Sequence, residues 1–247
     1  MAPRDPVAET AKTGEPDRYL AALYAPEPAR SKLIALAAFA VDLKRIGAGV
    51  REPLLAEIRL QWWRDALAAL VRGEATGHPV ADRLGPDIAS GLLPAGLLMG
   101  MIDAAAERDW PTQTNGQALR SQLTKSESAA FMLAARALGA GHSARLEAAA
   151  QAAGFTYGLA RLLADGRSPR VHQSDLESNR QAAELAAQCR GSMPDAGAAV
   201  ARLDSALLPA FLPLTMVPVY LGPAEGGAMA LRRWWRLLRA VALGRVF

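Results

Sequence analysis

LLAEIRLQWWRDALAALV, residues 54–71, is the stretch whose reading decides the fold. Leu55, Ile58, Trp62, Ala66 and Ala69 recur at spacings of three and four, which places them on one face of a helix. Glu57, Gln61 and Arg64 fall opposite. The spacing predicts a helix from Pro53 to about Arg72 with that set as its buried stripe. Asp65 sits at the stripe's edge, where a carboxylate needs a partner or a polar cavity. Of the adjacent tryptophans, one must point about 100° from the other. Trp62 is assigned to the core, and Trp63 becomes the residue able to reach a partner.

The composition of the whole chain extends this reading. Its 247 residues include 53 Ala and 35 Leu, the strongest helix formers, and only 5 Ile. Residues that feed strands are too few for a sandwich, a barrel or a Rossmann sheet. An all-α protein with an ample apolar core is expected. Proline and glycine punctuate the chain into helices near 18–24, 28–50, 53–72, 80–90, 94–108, 115–138, 143–165, 176–190, 195–208, 209–221 and 227–243. Met1 to Pro16 shows no apolar signal-peptide core and is expected to be a disordered lead-in, leaving 17–247 as one domain. The longest apolar run, Leu207 to Leu221, is 15 residues with three prolines, too short for a spanning helix.

Charge and chemistry-bearing residues exclude several classes. The net charge is +4 and the pI near 9.6. Only the last 16 residues approach the basic, aromatic-bearing stripe of a nucleic-acid binder, so no nucleic-acid partner is expected. The single cysteine, Cys189, excludes a disulfide framework. His78, His142 and His172 are scattered, with no metal-ligand or nucleophile–base spacing. Ser126, Glu127 and Ser128 read as local capping or polar packing.

Four segments, RYLAALYAPEPARSKLIALAAFA (18–40), EPLLAEIRLQWWRDAL (52–67), AGFTYGLARLL (153–163) and LLPAFLPLTMVPVYL (207–221), stand in the order found in the squalene/phytoene synthase family. The chain resembles that family over roughly Asp17 to Leu238. Within the family it resembles the short, diverged branch that includes the mitochondrial complex I assembly factor. The resemblance implies a single all-α bundle of the isoprenoid-synthase type around a central apolar cavity. Active members join two prenyl diphosphates head to head. They use Mg²⁺ held by two Asp-rich motifs, because carboxylates one helical turn apart share a face and can clamp metal and diphosphate together.

The chain departs from the family at both motifs. Counted from Phe39, the aspartate positions of the first hold Lys44, Arg45 and Ala48, and the nearest acid, Asp42, comes two to three positions early. In the second, Asp165 matches the first aspartate, Pro169 stands four residues later, and Arg161 occupies a position typical of asparagine. Cations in place of ligands remove coordination and add repulsion, about 4 kcal/mol for a like-charge pair at 4 Å and an effective dielectric near 20.

These residues support three functional readings. The first is a member that has lost metal-dependent transfer and acts as a scaffold or assembly factor. The resemblance points to respiratory complex I subunits or assembly intermediates, at the cytoplasmic face of an inner membrane or its matrix equivalent, with no cofactor. The second is an active transferase using Asp42, Asp165 and Mg²⁺. The third is a metal-free binder of an anionic lipid or prenyl diphosphate. It would use Lys44, Arg45 and the stripe Tyr157, Arg161 and Asp165, with Asp65 as a further candidate, since Arg grips phosphate bidentately. At the C-terminus, Arg232, Arg236 and Arg239 share one helix face, and Leu231, Trp235, Leu238 and Ala242 line another. That pattern either closes the bundle or touches a membrane or partner.

Overall fold

The computed structural model describes residues 5–49, 53–107, 116–166, 176–222 and 229–247, and every regular element among them is helical. In chain order these are α1 (Pro6–Gly14), α2 (Pro16–Ala22), α3 (Ala29–Gly49), α4 (Pro53–Val71), α5 (Pro79–Ala89), α6 (Ala95–Ala106), α7 (Gly116–Leu123), α8 (Ala129–Ala137), α9 (Ala144–Gly166), α10 (Leu176–Val200), α11 (Leu208–Phe211), α12 (Val217–Leu221) and α13 (Met229–Leu243). A π-helical turn, Thr124–Ser128, joins α7 to α8, and 3₁₀ turns flank α11 at Ser205–Leu207 and Leu212–Met216. No described helix is long and apolar enough to cross a membrane.

Two long helices organise the bundle. α3 packs against α1, α2, α5, α6 and α8, and α9 against α8, α10, α12 and the π turn. Phe131 on α8 stacks on Phe211 of α11 at 5.6 Å and meets the Tyr157 ring of α9 edge-on at 5.7 Å. This aromatic group belongs to one continuous apolar core.

The π turn reaches α9 where α9 has no side chains. A Cβ on Gly154 would stand 2.3 Å from Ser128 Oγ and 2.4 Å from its backbone nitrogen; one on Gly158 would stand 2.3 Å from Leu123 Cδ2. Glycine in a helix costs about 1 kcal/mol against alanine, so these two positions give up propensity for closeness.

Three expectations need correction. The lead-in is not a tail: Asp5 caps α1 through its side chain, and Val7 and Ala11 are buried against α3. Helix α10 continues through Pro194 without the break expected after residue 190. On α4 the buried stripe is Ala56, Leu60, Trp63, Leu67 and Leu70, while Leu55, Ile58 and Trp62 are exposed. Both sets have helical spacing, and contacts with α5 and α6 select between them. Trp63 is therefore a core residue, edge-on to Phe39 at 4.9 Å, and Trp62 is the exposed one.

Gly154→Ala gains propensity but forces the π turn off α9. A net loss of about 2 kcal/mol is expected, read as a lower denaturant midpoint at unchanged slope.

Candidate functional site

The joint between α1 and α2 reads Gly14-Glu15-Pro16-Asp17-Arg18. Pro16 starts α2, which fixes Glu15 just before the helix and Asp17 in its first turn. Both carboxylates are buried, at 3% and 2% exposure. Buried charges persist only when paired and hydrogen-bonded, and the partners come from α9, from α12 and from the neighbouring Arg18 of α2.

Arg161 of α9 donates to Glu15 Oε2 at 2.6 Å. Arg18 stands 3.4 Å from the same oxygen and donates to Glu127 of the π turn at 2.5 Å. Glu127 lies 3.9 Å from Arg161, so two guanidinium groups and two carboxylates form a closed ring of alternating charge. Arg18 also sits over the Phe131 and Tyr157 rings at 5.3 and 5.5 Å. Beside the ring, the hydroxyls of Tyr157 (3.1 Å) and Tyr220 donate to Asp17 Oδ2.

The electrostatics lock these charge states. Burial opposes ionisation of Glu15, but Arg161 and Arg18 outweigh it and hold the carboxyl below its ordinary value. Burial likewise opposes charge on Arg18 and Arg161, and the facing glutamates hold both guanidinium groups above theirs. Burial and the neighbouring Asp17 push the Tyr157 hydroxyl well up. Burial raises the Cys189 thiol to about 11, so no thiolate is available near neutral pH.

Tyr157, Arg161 and Asp165 succeed one another along α9 from the core outward. Tyr157 is buried, Arg161 belongs to the ring, and Asp165 is 62% exposed. Asp165 meets Lys44 of α3 at 3.4 Å, so an exposed ion pair links α3 and α9 there. Arg45 is exposed and stands 3.9 Å from Asp42. The Asp42 carboxyl, raised by burial against the weaker pull of His78 and Arg45, has an oxygen with no hydrogen-bond donor. His78 lies 4.0 Å from it, against the Trp62 and Trp63 rings. Next to Arg18, the space lined by Leu33, Leu36, Met101, Leu133, Ala210 and Pro213 is about 20 Å³, room for roughly one water. Among the described residues, no three of His, Cys, Asp or Glu are grouped as a metal ion would need.

A family model of squalene/phytoene synthase matches residues 11–168, well over half of the chain. The chain belongs to the squalene/phytoene synthase family. Compared with curated proteins, it has no significant match. The family match covers α2, α3, Glu127 and all of α9, so the ionic ring and the Lys44–Asp165 pair both fall within it.

Other expected site residues are dispersed. Asp65 is exposed, away from the core, and accepts from Gln61 at 2.8 Å. Arg236 and Arg239 are exposed on α13, whereas the side chain of Arg232 lies outside the described residues, as does His172. Sequence reasoning missed Glu15, Asp17, Arg18 and Glu127 as a unit. An acid at a helix start already satisfies the helix dipole, so nothing local marks it for burial.

These charges make stability depend on pH. Glu15 titrates below its unfolded value of about 4.5, so its contribution is complete above that pH and is lost as pH falls through the lowered folded value. Denaturant melts should weaken below about pH 4.5. Glu15→Gln should lose about 3–5 kcal/mol at neutral pH, because Arg161 keeps a buried charge without its main partner, and should flatten that acid limb. Asp42 has the opposite sign. Its folded value is raised, so the ionised form is unfavourable above it, and Asp42→Asn should gain about 1 kcal/mol at pH 7.

Proposed function

We propose that this family member has given up metal-dependent prenyl transfer and serves as a scaffold or assembly factor. The observation that supports this reading best is the Lys44–Asp165 pair at 3.4 Å. It lies where the resemblance requires two carboxylate motifs to oppose each other across metal ions. An ammonium group at that point competes for the one matching acid and repels a divalent cation. The donor set on α3 and α9 does not fit a magnesium cluster, since Asp42 is drawn to Arg45 and His78 instead.

The interior supports the same reading. Arg18 and Arg161 are neutralised by Glu15 and Glu127, which leaves neither guanidinium group free to grip a diphosphate. This also weighs against metal-free binding of an anionic lipid at Arg161. Lys44 and Arg45 alone would be a shallow, solvated pair. The partner rests on analogy: the diverged branch that the sequence resembles makes respiratory complex I the first assembly to test, at the cytoplasmic face of an inner membrane or its matrix equivalent.

Purified protein incubated with farnesyl or geranylgeranyl diphosphate and Mg²⁺ should release no pyrophosphate and form no head-to-head product. Product that disappears in Asp165→Ala would restore the transferase reading. Deletion of the gene should lower assembled NADH:quinone oxidoreductase. Unchanged levels would discard the complex I role while leaving the loss of transfer intact.

A further inference from the structure

Helix α13 rides outside the main core. Its inward residues Leu237 and Ala240 join Ala21, Leu212 and Met216 in a small, separate apolar cluster. The helix is held by the 3₁₀ turn at 212–216 and by α12. At 100° per residue, Val241, Leu238 and Trp235 succeed one another around the helix beyond that buried pair. All three are solvent-facing, Trp235 at 68% and Leu238 at 50% exposure. Next around the circumference come Arg239, Leu243 and then Arg236, all exposed, and exposed Arg245 stands just past the helix end. α13 thus presents three faces: one buried in the protein, one apolar and uncovered, one cationic.

Charge decides what the uncovered faces suit. Residues 229–247 contain five Arg and no Asp or Glu. Arg236, Arg239 and Arg245 have no acidic partner among the described residues. Fifteen residues at 1.5 Å each give roughly 22 Å, too short to span hydrocarbon but suited to lying flat. A tryptophan-bearing apolar strip bordered along one edge by guanidinium groups matches the interface of an anionic bilayer, where rings sit among headgroups and Arg meets phosphate. The exposed apolar face of α4 differs, because Leu55, Ile58 and Trp62 stand among Glu57, Arg59 and Asp65. That mixture of signs gives no preference for an anionic surface.

We propose that α13 docks the chain onto an anionic lipid surface. Trp235, Leu238 and Val241 enter the boundary between headgroups and acyl chains, and Arg236 and Arg239 lie against lipid phosphates. The inference is independent of the scaffold reading, since it needs only the purified chain and a bilayer.

The test is co-sedimentation of the full chain with phosphatidylcholine vesicles, with and without phosphatidylglycerol, at low and high salt. Binding is expected only with the anionic lipid and should weaken as salt rises. Arg236→Gln with Arg239→Gln should bind about 30-fold more weakly. Trp235→Ala with Leu238→Ala should lose at least about tenfold. Both pairs alter exposed side chains, and unchanged melting temperatures would confirm intact folding. Three results would overturn the proposal: no binding to either vesicle, equal salt-independent binding to both, or binding that both double variants leave unchanged. If α13 instead serves a protein partner, the first of these is the outcome.

Discussion

Two arginines enter the interior of this bundle, and the rest of the structure answers to that fact. A guanidinium group cannot shed its proton in a protein, so Arg18 and Arg161 must find carboxylates or the bundle must open. Glu15 comes from the joint between α1 and α2, and Glu127 from the turn between α7 and α8. Closing that ring requires α1 to fold against α3, which turns the N-terminal segment into part of the domain. It also requires the 124–128 turn to approach α9, which Gly154 and Gly158 permit. Tyr157 completes the arrangement, offering its ring face to both guanidinium groups and its hydroxyl to Asp17.

This economy of charge bears directly on function. A site that handles diphosphate must hold uncommitted charge, positive for the oxygens or negative for the metal ions between them. Here the four charges of the ring are matched to one another, and the outermost acid of α9 is matched to a lysine of α3. Such a centre stabilises one shape. That matching supports the proposed scaffold role.

The fold was legible because alanine and leucine dominate and helical spacing repeats along the chain. What escaped was the choice between two apolar stripes on α4, one through Leu55, Ile58 and Trp62, the other through Leu60, Trp63 and Leu67. Local spacing is equally good in both, and only neighbours supplied by α5 and α6 break the tie. The ionic ring escaped for a related reason. Arg161 and Glu15 are 146 residues apart and Arg18 and Glu127 are 109 apart, so no window of sequence holds both members of a pair.

The π turn at 124–128 has a consequence for how this chain can vary. Each extra residue in a helical segment rotates the downstream side chains by about 100°. The segment 116–137 therefore carries a built-in phase shift, with Leu119 and Leu123 buried before it and Phe131 and Leu133 after it. Removing one residue there would leave an ordinary helix of good propensity but swing α8 out of alignment with α7. Length in this turn is thus constrained more tightly than residue identity, an unusual burden for a stretch composed of Thr, Lys, Ser and Glu.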